Sequence, residues 1–394
     1  MSLGVVNSIK VSAAKASLTQ KEKDVGLIYS SKETVSSAVF TKNKVKAASV
    51  IYDMELMKKN KDIRAVIVNS GNANASNSNG FEAVDKITSS LAEKLNIKKE
   101  QVFVASTGII GEDLPYEQII DSMDELVSNL GKDSSDFAQS ILTTDTFKKE
   151  CTLECSFRGI RFNIGGVAKG AGMIHPNMGT MLAFLVTDIN ISKEMIDEAL
   201  KYAVNHSFNR ISVDGDTSTN DTVFIMSTNE AENEKITDKN EFYRSFEDNL
   251  THMCANLAKM IVRDGEGATK LAEVVVVGAK NIDDAQKAAR SVANSLLVKT
   301  ALFGSDPNWG RIVAAVGYSK ADVNLDKLSV SIGDYTVFEN GRKVETNKAE
   351  LNEYMKNNKE IMIIINLGMG IASYNMWFSD ISYDYVKINA EYHT

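Results

Sequence analysis

The sequence predicts a mixed α/β protein, of either the α/β or the α+β class. Short apolar runs typical of strands alternate with helix-like patterns along the chain. No repeat of fixed period is present, and 394 residues are enough to bury one large core or two smaller ones. Together these observations favour a globular chain of the size of an enzyme.

The individual elements follow from these patterns in chain order. Five apolar runs predict strands: DVGLIYS (24–30), RAVIVNS (64–70), QVFVAS (101–106), EVVVVGA (273–279) and IMIIINLG (361–368). Five amphipathic stretches predict helices near residues 45–58, 82–95, 193–206, 239–262 and 283–298. The polar stretch 228–241 is either a soft domain boundary or only a loop.

Composition and charge narrow the choice of partners. With 43% hydrophobic and 24% charged residues the chain resembles a soluble protein, and its longest apolar runs are far too short to cross a bilayer. The N-terminal segment lacks the continuous apolar region of a secretory signal. A formal net charge of -8 argues against nucleic acid, because phosphate binding needs a basic surface. We therefore expect a small-molecule ligand, with no membrane and no nucleic acid partner.

The cysteines favour a reducing compartment. Cys151, Cys155 and Cys254 are an odd number in a long chain, which does not indicate a disulfide framework and points to the cytoplasm. With His252 they could in principle bind a metal, but C-x3-C on a predicted strand is a poor chelate. We expect these thiols to pack in the core and expect no metal site.

Several motifs fail on their spacing. SVDGDTSTNDT (212–222) lacks the glycine and the glutamate that a calcium loop requires. NLGMGIAS (366–373) lacks the third glycine of a dinucleotide fold, and the segment around Gly265 lacks the phosphate-loop spacing. No G-x-S-x-G elbow presents a serine nucleophile. We therefore expect no cofactor.

Four loops carry the polar chemistry of the chain. They are rich in Gly, Asn, Ser and Thr, which after apolar strands supply tight turns and free backbone N–H groups. They are NSGNANASNSNG (69–80), ASTGIIGEDLP (105–115), SVDGDTSTNDT (212–222) and GSDPNWGRI (304–312). We expect the functional site among them.

Thr180 is a candidate nucleophile, in the segment KGAGMIHPNMGTMLAF (169–184). A threonine at a chain N-terminus can use its own α-amine, with a pKa of roughly 8, to take the proton of its hydroxyl. Thr180 would reach that position if its Oγ attacked the Gly179 carbonyl and left an ester that water cuts. Gly179 permits the bent backbone that this step needs. From the residues alone, an ordinary turn into a buried strand is the alternative.

The same segment, extended to KGAGMIHPNMGTMLAFLVTD, resembles the cleavage segment of the ornithine acetyltransferase family, also called bifunctional glutamate N-acetyltransferase. Further blocks resemble that family in family order, from about residue 64 to the last residue: NSGNANA, STGIIG, TTDT, IGGVAKG, SVDGDTSTNDT, DGEGATK, DPNWGRI and YDYVKINAEY. Gly179 stands where the family usually has alanine, which leaves the efficiency of cleavage open. The resemblance implies layered sheets and helices, of a type shared with DmpA-like aminopeptidases.

The resemblance also implies an acyltransferase of arginine biosynthesis that cleaves itself between Gly179 and Thr180. The products would be an alpha chain, 1–179, and a beta chain, 180–394, which stay together as a heterotetramer with two copies of each. Acetyl would pass from N2-acetylornithine to Thr180 and then to L-glutamate in a ping-pong cycle, with no cofactor. Some family members also use acetyl-CoA as a substrate, and no motif here separates the two types.

The family's functional residues match positions of this sequence. Thr107 and Gly108 match its oxyanion stretch, and Thr180 matches its nucleophile. Its substrate-contacting positions match Thr143, Lys169, Thr180, Glu266, Asn389 and Thr394. Lys169 would bind a carboxylate, and Glu266 would hold the ornithine ammonium or shuttle a proton. An alternating, strand-like pattern near the C-terminus predicts a tail that is tied down and needed for activity.

Two other functions stay open. A self-cleaving threonine aminopeptidase or amidohydrolase would share the fold and the nucleophile but use water as the acceptor, so dependence on glutamate separates the two activities. An uncleaved relative that only binds a small molecule or a partner would keep an intact chain with Thr180 unmodified.

Overall fold

The structure, a computed structural model, describes residues 2–59, 62–175 and 181–391. They fall into two compact units: the first contains the described residues up to Asn209 with Asp216–Ile261, and the second contains Arg210–Gly215 and the residues from Val262 to 391. The strands are β1 (Ile9–Ala14), β2 (Val25–Ser30), β3 (Val35–Phe40), β4 (Ala65–Asn69), β5 (Val102–Ser106), β6 (Lys149–Phe157), β7 (Ile160–Lys169), β8 (Leu182–Thr187), β9 (Ile211–Ser212), β10 (Thr222–Ser227), β11 (Leu271–Ala279), β12 (Ser329–Ile332), β13 (Tyr335–Glu339), β14 (Arg342–Lys343), β15 (Glu360–Asn366) and β16 (Ala372–Ser379). The helices are α1 (Ala48–Lys59), α2 (Gly80–Leu95), α3 (Tyr116–Asp121), α4 (Met123–Ser128), α5 (Ser135–Ser140), α6 (Lys193–Asn205), α7 (Glu241–Arg263), α8 (Ile282–Ala293), α9 (Leu296–Phe303), α10 (Trp309–Gly317), α11 (Lys348–Asn357) and α12 (Tyr383–Glu391).

Two sheets form the first unit. The four-stranded sheet has the order β1-β2-β4-β5, and the five-stranded sheet has the order β3-β10-β8-β7-β6. The pairs β4/β5 and β8/β10 are parallel, and the other neighbours are antiparallel. These four parallel strands are buried along their whole length, which explains why they are nearly continuous apolar runs in the sequence.

The two sheets pack face to face around one buried apolar cluster. Phe103 of β5 and Phe224 of β10 meet there with ring centroids 4.6 Å apart. Helices α2 and α4 cover the other face of the four-stranded sheet, and α7 packs on β7, where the Phe162 and Phe246 rings are 6.3 Å apart. The layers are therefore helix, sheet, sheet and helix, and each large side chain buried between them contributes roughly 1.5–3 kcal/mol.

The strand ends of the first unit position its polar loops. Asn69 pairs with Ser106 at the carboxyl ends of β4 and β5, so the loops that follow these strands are neighbours. Lys169 at the end of β7 pairs with Leu182 at the start of β8. Thr222 pairs with Leu182 from the other side, which puts the start of β10 at the same sheet edge.

The second unit contains a seven-stranded sheet with the order β14-β13-β12-β15-β11-β16-β9. Residues of α8, α10 and α11 share one buried cluster with its strands. Along β15, Ile361, Ile363 and Ile365 are buried in this cluster, whereas Met362 and Ile364 between them are more than a third exposed. This alternation is the period-two pattern of a strand with one covered face.

The predicted mixed α/β class with layered sheets and helices is confirmed, as are the five predicted strands. The predicted helices are also confirmed, except that the stretch 283–298 forms two helices. Helix α8 ends at Ala293, and α9 begins at Leu296 after Ser295, whose hydroxyl caps it by accepting the Val298 N–H at 3.3 Å. Within the described ranges, none of the helices has the length and apolar character needed to cross a bilayer.

The strand-like prediction for the C-terminal segment is wrong, because residues 383–391 form α12. The Ser382 hydroxyl accepts the Tyr385 N–H at 3.3 Å and so caps this helix. The polar stretch 228–241 lies inside the first unit, between β10 and the first turn of α7.

Candidate active site

Lys169 is the last residue of β7 and is 2% exposed. Its ammonium group donates to the hydroxyl oxygens of Thr143, at 2.8 Å, and Thr107, at 3.1 Å. Thr107 follows β5 and Thr143 lies between α5 and β6, so the lysine joins segments that are far apart in the sequence. Such partners are needed because an unpaired charge is costly to bury.

Thr107 and Gly108 offer two adjacent hydrogen-bond donors. Because Lys169 donates to the Thr107 oxygen, the hydrogen of that hydroxyl must point to another acceptor. The Gly108 N–H makes no hydrogen bond to a described residue. Gly108 has a φ of 135°, and a Cβ there would lie 2.2 Å from the Gly71 carbonyl carbon, so only glycine fits. This pair of donors is suited to an oxyanion.

Asp145 joins three groups around the lysine. Its Oδ1 accepts the Lys149 ammonium at 2.6 Å and the Gly170 N–H at 2.7 Å, and its Oδ2 accepts the Thr143 N–H at 3.0 Å. The side chains of Asp145 and Lys149 are fully buried. Burial alone would raise the pKa of Asp145, but the charges of Lys169 and Lys149 outweigh it and lower the pKa to about 2. The ionised Asp145 carboxylate thus holds the backbone at Thr143 and at Gly170, on the two segments that Lys169 joins.

Asn220 and Asp221 end the polar loop that precedes β10. The Asn220 side-chain amide donates to the carbonyl oxygens of Ala73, at 2.6 Å, and Ser106, at 2.8 Å, which ties this loop to those after β4 and β5. Asp221 is fully buried, and its Oδ1 accepts the Met181 N–H at 2.9 Å just before β8.

In the second unit, Glu266 and Asn389 form a polar pair. Glu266 is 8% exposed, and its Oε2 accepts the Asn389 side-chain amide at 2.7 Å. Asn389 lies on α12, whose start is held to the same segment because the Ser382 hydroxyl donates to the Gly267 carbonyl at 2.6 Å. Gly267 has a φ of 66°, and a Cβ there would lie 2.5 Å from the Tyr385 nitrogen. The start of α12 therefore packs directly against the backbone at Gly267, with no room for a side chain there.

The structure brings the predicted residues into two groups, one in each unit: Thr107, Gly108, Thr143 and Lys169 in the first, Glu266 and Asn389 in the second. Gly179, Thr180 and Thr394 lie outside the described residues. The nucleophile and the cleavage site therefore stay predictions. No group of three or more His, Cys, Asp or Glu in the described part of the chain is arranged to hold a metal.

Sequence reasoning missed four residues of the first group: Asp145, Lys149, Asn220 and Asp221. A signal was present for three of them, because Lys149 begins β6, and Asn220 and Asp221 come just before β10. Asp145 is the third residue of the TTDT block, and Asp221 directly precedes the apolar run of β10. A polar side chain that directly precedes a buried strand is buried along with that strand.

A hydroxyl and a backbone N–H beside a buried lysine can stabilise the tetrahedral oxyanion of acyl transfer. Together with the layered α/β fold, this geometry is typical of the class of enzymes that act on acyl groups. The model of the ArgJ family matches residues 10–394. The chain belongs to the ArgJ family and is an acyltransferase.

Individual relatives match over nearly their whole length. The arginine biosynthesis bifunctional protein ArgJ of Caldanaerobacter subterraneus subsp. tengcongensis is 46% identical over 385 residues, covering 96% of this chain and 95% of that protein. The glutamate N-acetyltransferase of Methanocaldococcus jannaschii is 46% identical over 385 residues, covering 94% of each chain. The crystal structure of ArgJ from Bacillus halodurans is 43% identical with a TM-score of 0.51, covering 52% of this chain and 96% of the solved chain.

Proposed function

We propose that this acyltransferase is a glutamate N-acetyltransferase of arginine biosynthesis, which moves acetyl from N2-acetylornithine to L-glutamate through an acetyl-Thr180 intermediate. The observation that carries the proposal is the donor pair at Thr107 and Gly108, with the hydroxyl oriented by Lys169 at 3.1 Å. The relatives named as glutamate N-acetyltransferase and bifunctional ArgJ support the choice of acceptor and pathway.

The reaction follows a ping-pong sequence. Thr180 Oγ attacks the acetyl carbonyl carbon while its proton passes to the Thr180 α-amine, and the tetrahedral oxyanion binds Thr107 and Gly108. The bond from the acetyl carbon to the ornithine nitrogen breaks, and the departing amine takes the proton. The amine of glutamate then attacks the acetyl ester, and Thr180 Oγ recovers a proton as it leaves. Loss of one oxyanion donor typically slows such steps about 10²- to 10³-fold.

The free α-amine requires self-cleavage between Gly179 and Thr180. The solved relative from Bacillus halodurans supports this, because it matches over 96% of its own length while covering only 52% of this chain. A chain of about half length is what a cleaved precursor would contribute. We propose that the products 1–179 and 180–394 assemble as two copies of each.

The remaining residues would bind the substrates. Lys169 is suited to a carboxylate and Glu266 to the ornithine ammonium, while Thr143, Asn389 and Thr394 would complete the contacts. No cofactor takes part, and acetyl-CoA is a second acetyl donor to be tested in the same assay. The three free cysteines fit a reducing compartment such as the cytoplasm.

The test is intact mass measurement of the wild type and Thr180→Ala, followed by assay of acetyl transfer. We expect two wild-type fragments that meet at Gly179 and Thr180, a single intact Thr180→Ala chain, and acetylglutamate formed only by the cleaved protein. Thr300→Ala, at an exposed helix position, is the matched control and should behave as wild type. An intact wild-type chain without transfer overturns the proposal, and release of acetate independent of glutamate favours the hydrolase instead.

A further inference from the structure

Asp221 is a buried carboxyl group that the reaction above leaves without a role. It precedes β10, and Met181 precedes β8, so the parallel pairing of these strands places the two residues side by side. The Asp221 Oδ1 accepts the Met181 N–H at 2.9 Å, and the Met181 carbonyl accepts the Thr222 N–H at 3.1 Å. Both backbone polar groups of Met181 are therefore held by the start of β10.

The second oxygen of this carboxyl group has no such partner. Asp221 is fully buried, and its Oδ2 makes no hydrogen bond to any residue that the structure describes. The nearby Thr41 hydroxyl donates to the Ser218 carbonyl at 2.8 Å, so its only hydrogen is already used. Leaving a buried oxygen without a hydrogen-bond partner destabilises the folded protein, so a function of Asp221 is the explanation to test.

The pKa of Asp221 is shifted in the direction opposite to that of Asp145. Burial raises the pKa of Asp221 well above its usual range, although the Met181 N–H and the charge of Lys169 act in the opposite direction. Lys169 is the charged group that faces it. This shift favours the protonated form of a carboxyl group that is fully buried.

We propose that Asp221 is the proton-transfer group of self-cleavage, which serves the backbone nitrogen of Thr180. The inference rests on the proposed function, because it takes Thr180 as the nucleophile. Met181 directly follows Thr180 in the sequence, and three covalent bonds separate their backbone nitrogens. Asp221 is therefore anchored on the residue that directly follows the proposed cleavage site.

The step balances without another reactant. A bond forms between Thr180 Oγ and the Gly179 carbonyl carbon, and the bond from that carbon to the Thr180 nitrogen breaks. The nitrogen takes the proton of Asp221 and becomes an amine, and the Asp221 carboxylate recovers a proton from the Thr180 hydroxyl. Water then cleaves the ester, and Asp221 ends in its starting state.

The test compares Asp221→Asn with the wild type in a time course of intact mass after a pulse of cell-free synthesis, over a range of pH. The asparagine keeps an oxygen for the Met181 N–H but has no acidic proton. We expect cleavage to slow by about 10²- to 10⁴-fold, the usual contribution of a positioned acid or base. Wild-type cleavage should also slow as pH rises through the pKa of Asp221, and the variant should lack this fall. Asp216→Asn, exposed in the same loop, is the control and should cleave as wild type.

The outcomes separate the inference from the proposed function. If Asp221→Asn cleaves at the wild-type rate with the same pH profile, the inference is overturned while the proposed function stands. A wild type that never cleaves overturns the proposed function itself. If the asparagine variant fails to fold, Asp221→Glu replaces it in the test, because glutamate retains an acidic proton. Cleavage that slows with rising pH, as in the wild type, supports the inference. Cleavage at a rate independent of pH overturns it.

Discussion

Asp145 holds the backbone of the two segments that the Lys169–Thr143 hydrogen bond joins. Its carboxylate binds the buried Lys149 ammonium and two backbone N–H groups. Asp145→Asn removes the carboxylate that pairs with the buried Lys149 ammonium, and breaking a buried pair in this way costs roughly 3–5 kcal/mol. We expect that loss in the free energy of unfolding, measured by urea titration, together with lower acetyl transfer. Asp136→Asn, at a 61% exposed side chain, should change neither.

The same substitution has a predicted dependence on pH. The pKa of Asp145 is about 2 in the folded protein, below its ordinary value of 3.8. Between these values the unfolded chain binds the extra proton, so this group's contribution to stability is complete above pH 4 and is lost as pH falls through 2. The difference in unfolding free energy between wild type and Asp145→Asn should shrink by on the order of 2 kcal/mol over that interval. A difference that stays constant with pH would show that Asp145 is not ionised by its lysines.

At the scale of elements, α12 is the helix that holds Asn389 against Glu266. None of its residues is buried, so its position depends on contacts at its start with the Gly267 segment. Gly267→Ala would place a Cβ 2.5 Å from the Tyr385 nitrogen at a φ of 66° that side chains rarely adopt. We expect the helix start to move, acetyl transfer to fall at least tenfold, and the KM for acetylornithine to rise.

The matched control for this prediction is Gly317→Ala in the last turn of α10. A Cβ there has no atom within 4 Å, and alanine in a helix is better than glycine by up to about 1 kcal/mol. This variant should keep wild-type activity and equal or greater stability. If Gly267→Ala binds acetylornithine as well as Gly317→Ala does, α12 does not position a substrate group.

The elements differ in how far the sequence could predict them. Runs of apolar residues report burial, so the strands β4, β5 and β11 could be predicted from the sequence, whereas α12 buries no residue and gave no helical signal. The hydrophobic pattern of the sequence does not predict the hydrogen bonds of the site. Lys169 and Thr107 are 62 residues apart, and only the pairing of distant strands brings them together. Resemblance to a family supplied these two positions, but it did not point to Asp145 or Asp221.

At the scale of the whole molecule, the predicted cut passes through one continuous sheet. In the five-stranded order β3-β10-β8-β7-β6, β8 and β10 come after Thr180, and β3, β7 and β6 come before it. The ladders β3/β10 and β7/β8 would therefore join the two products by backbone hydrogen bonds over six residue pairs each. The buried cluster between the two sheets also takes side chains from both sides of the cut, among them Phe103 and Phe224.

This shared sheet predicts that self-cleavage does not release either product. Separating residues 1–179 from 180–394 would expose the edges of two buried strands and the apolar face between the sheets, which amounts to unfolding the first unit. Native mass spectrometry of the cleaved wild type should give one particle with the mass of the uncleaved protein plus one water for each cut bond. The two fragments should part only in denaturant, in the same transition that unfolds the protein. The uncleaved Thr180→Ala chain supplies the reference mass for that particle. Free 1–179 under native conditions would mean that the two ladders do not hold the sheet together once the chain is cut.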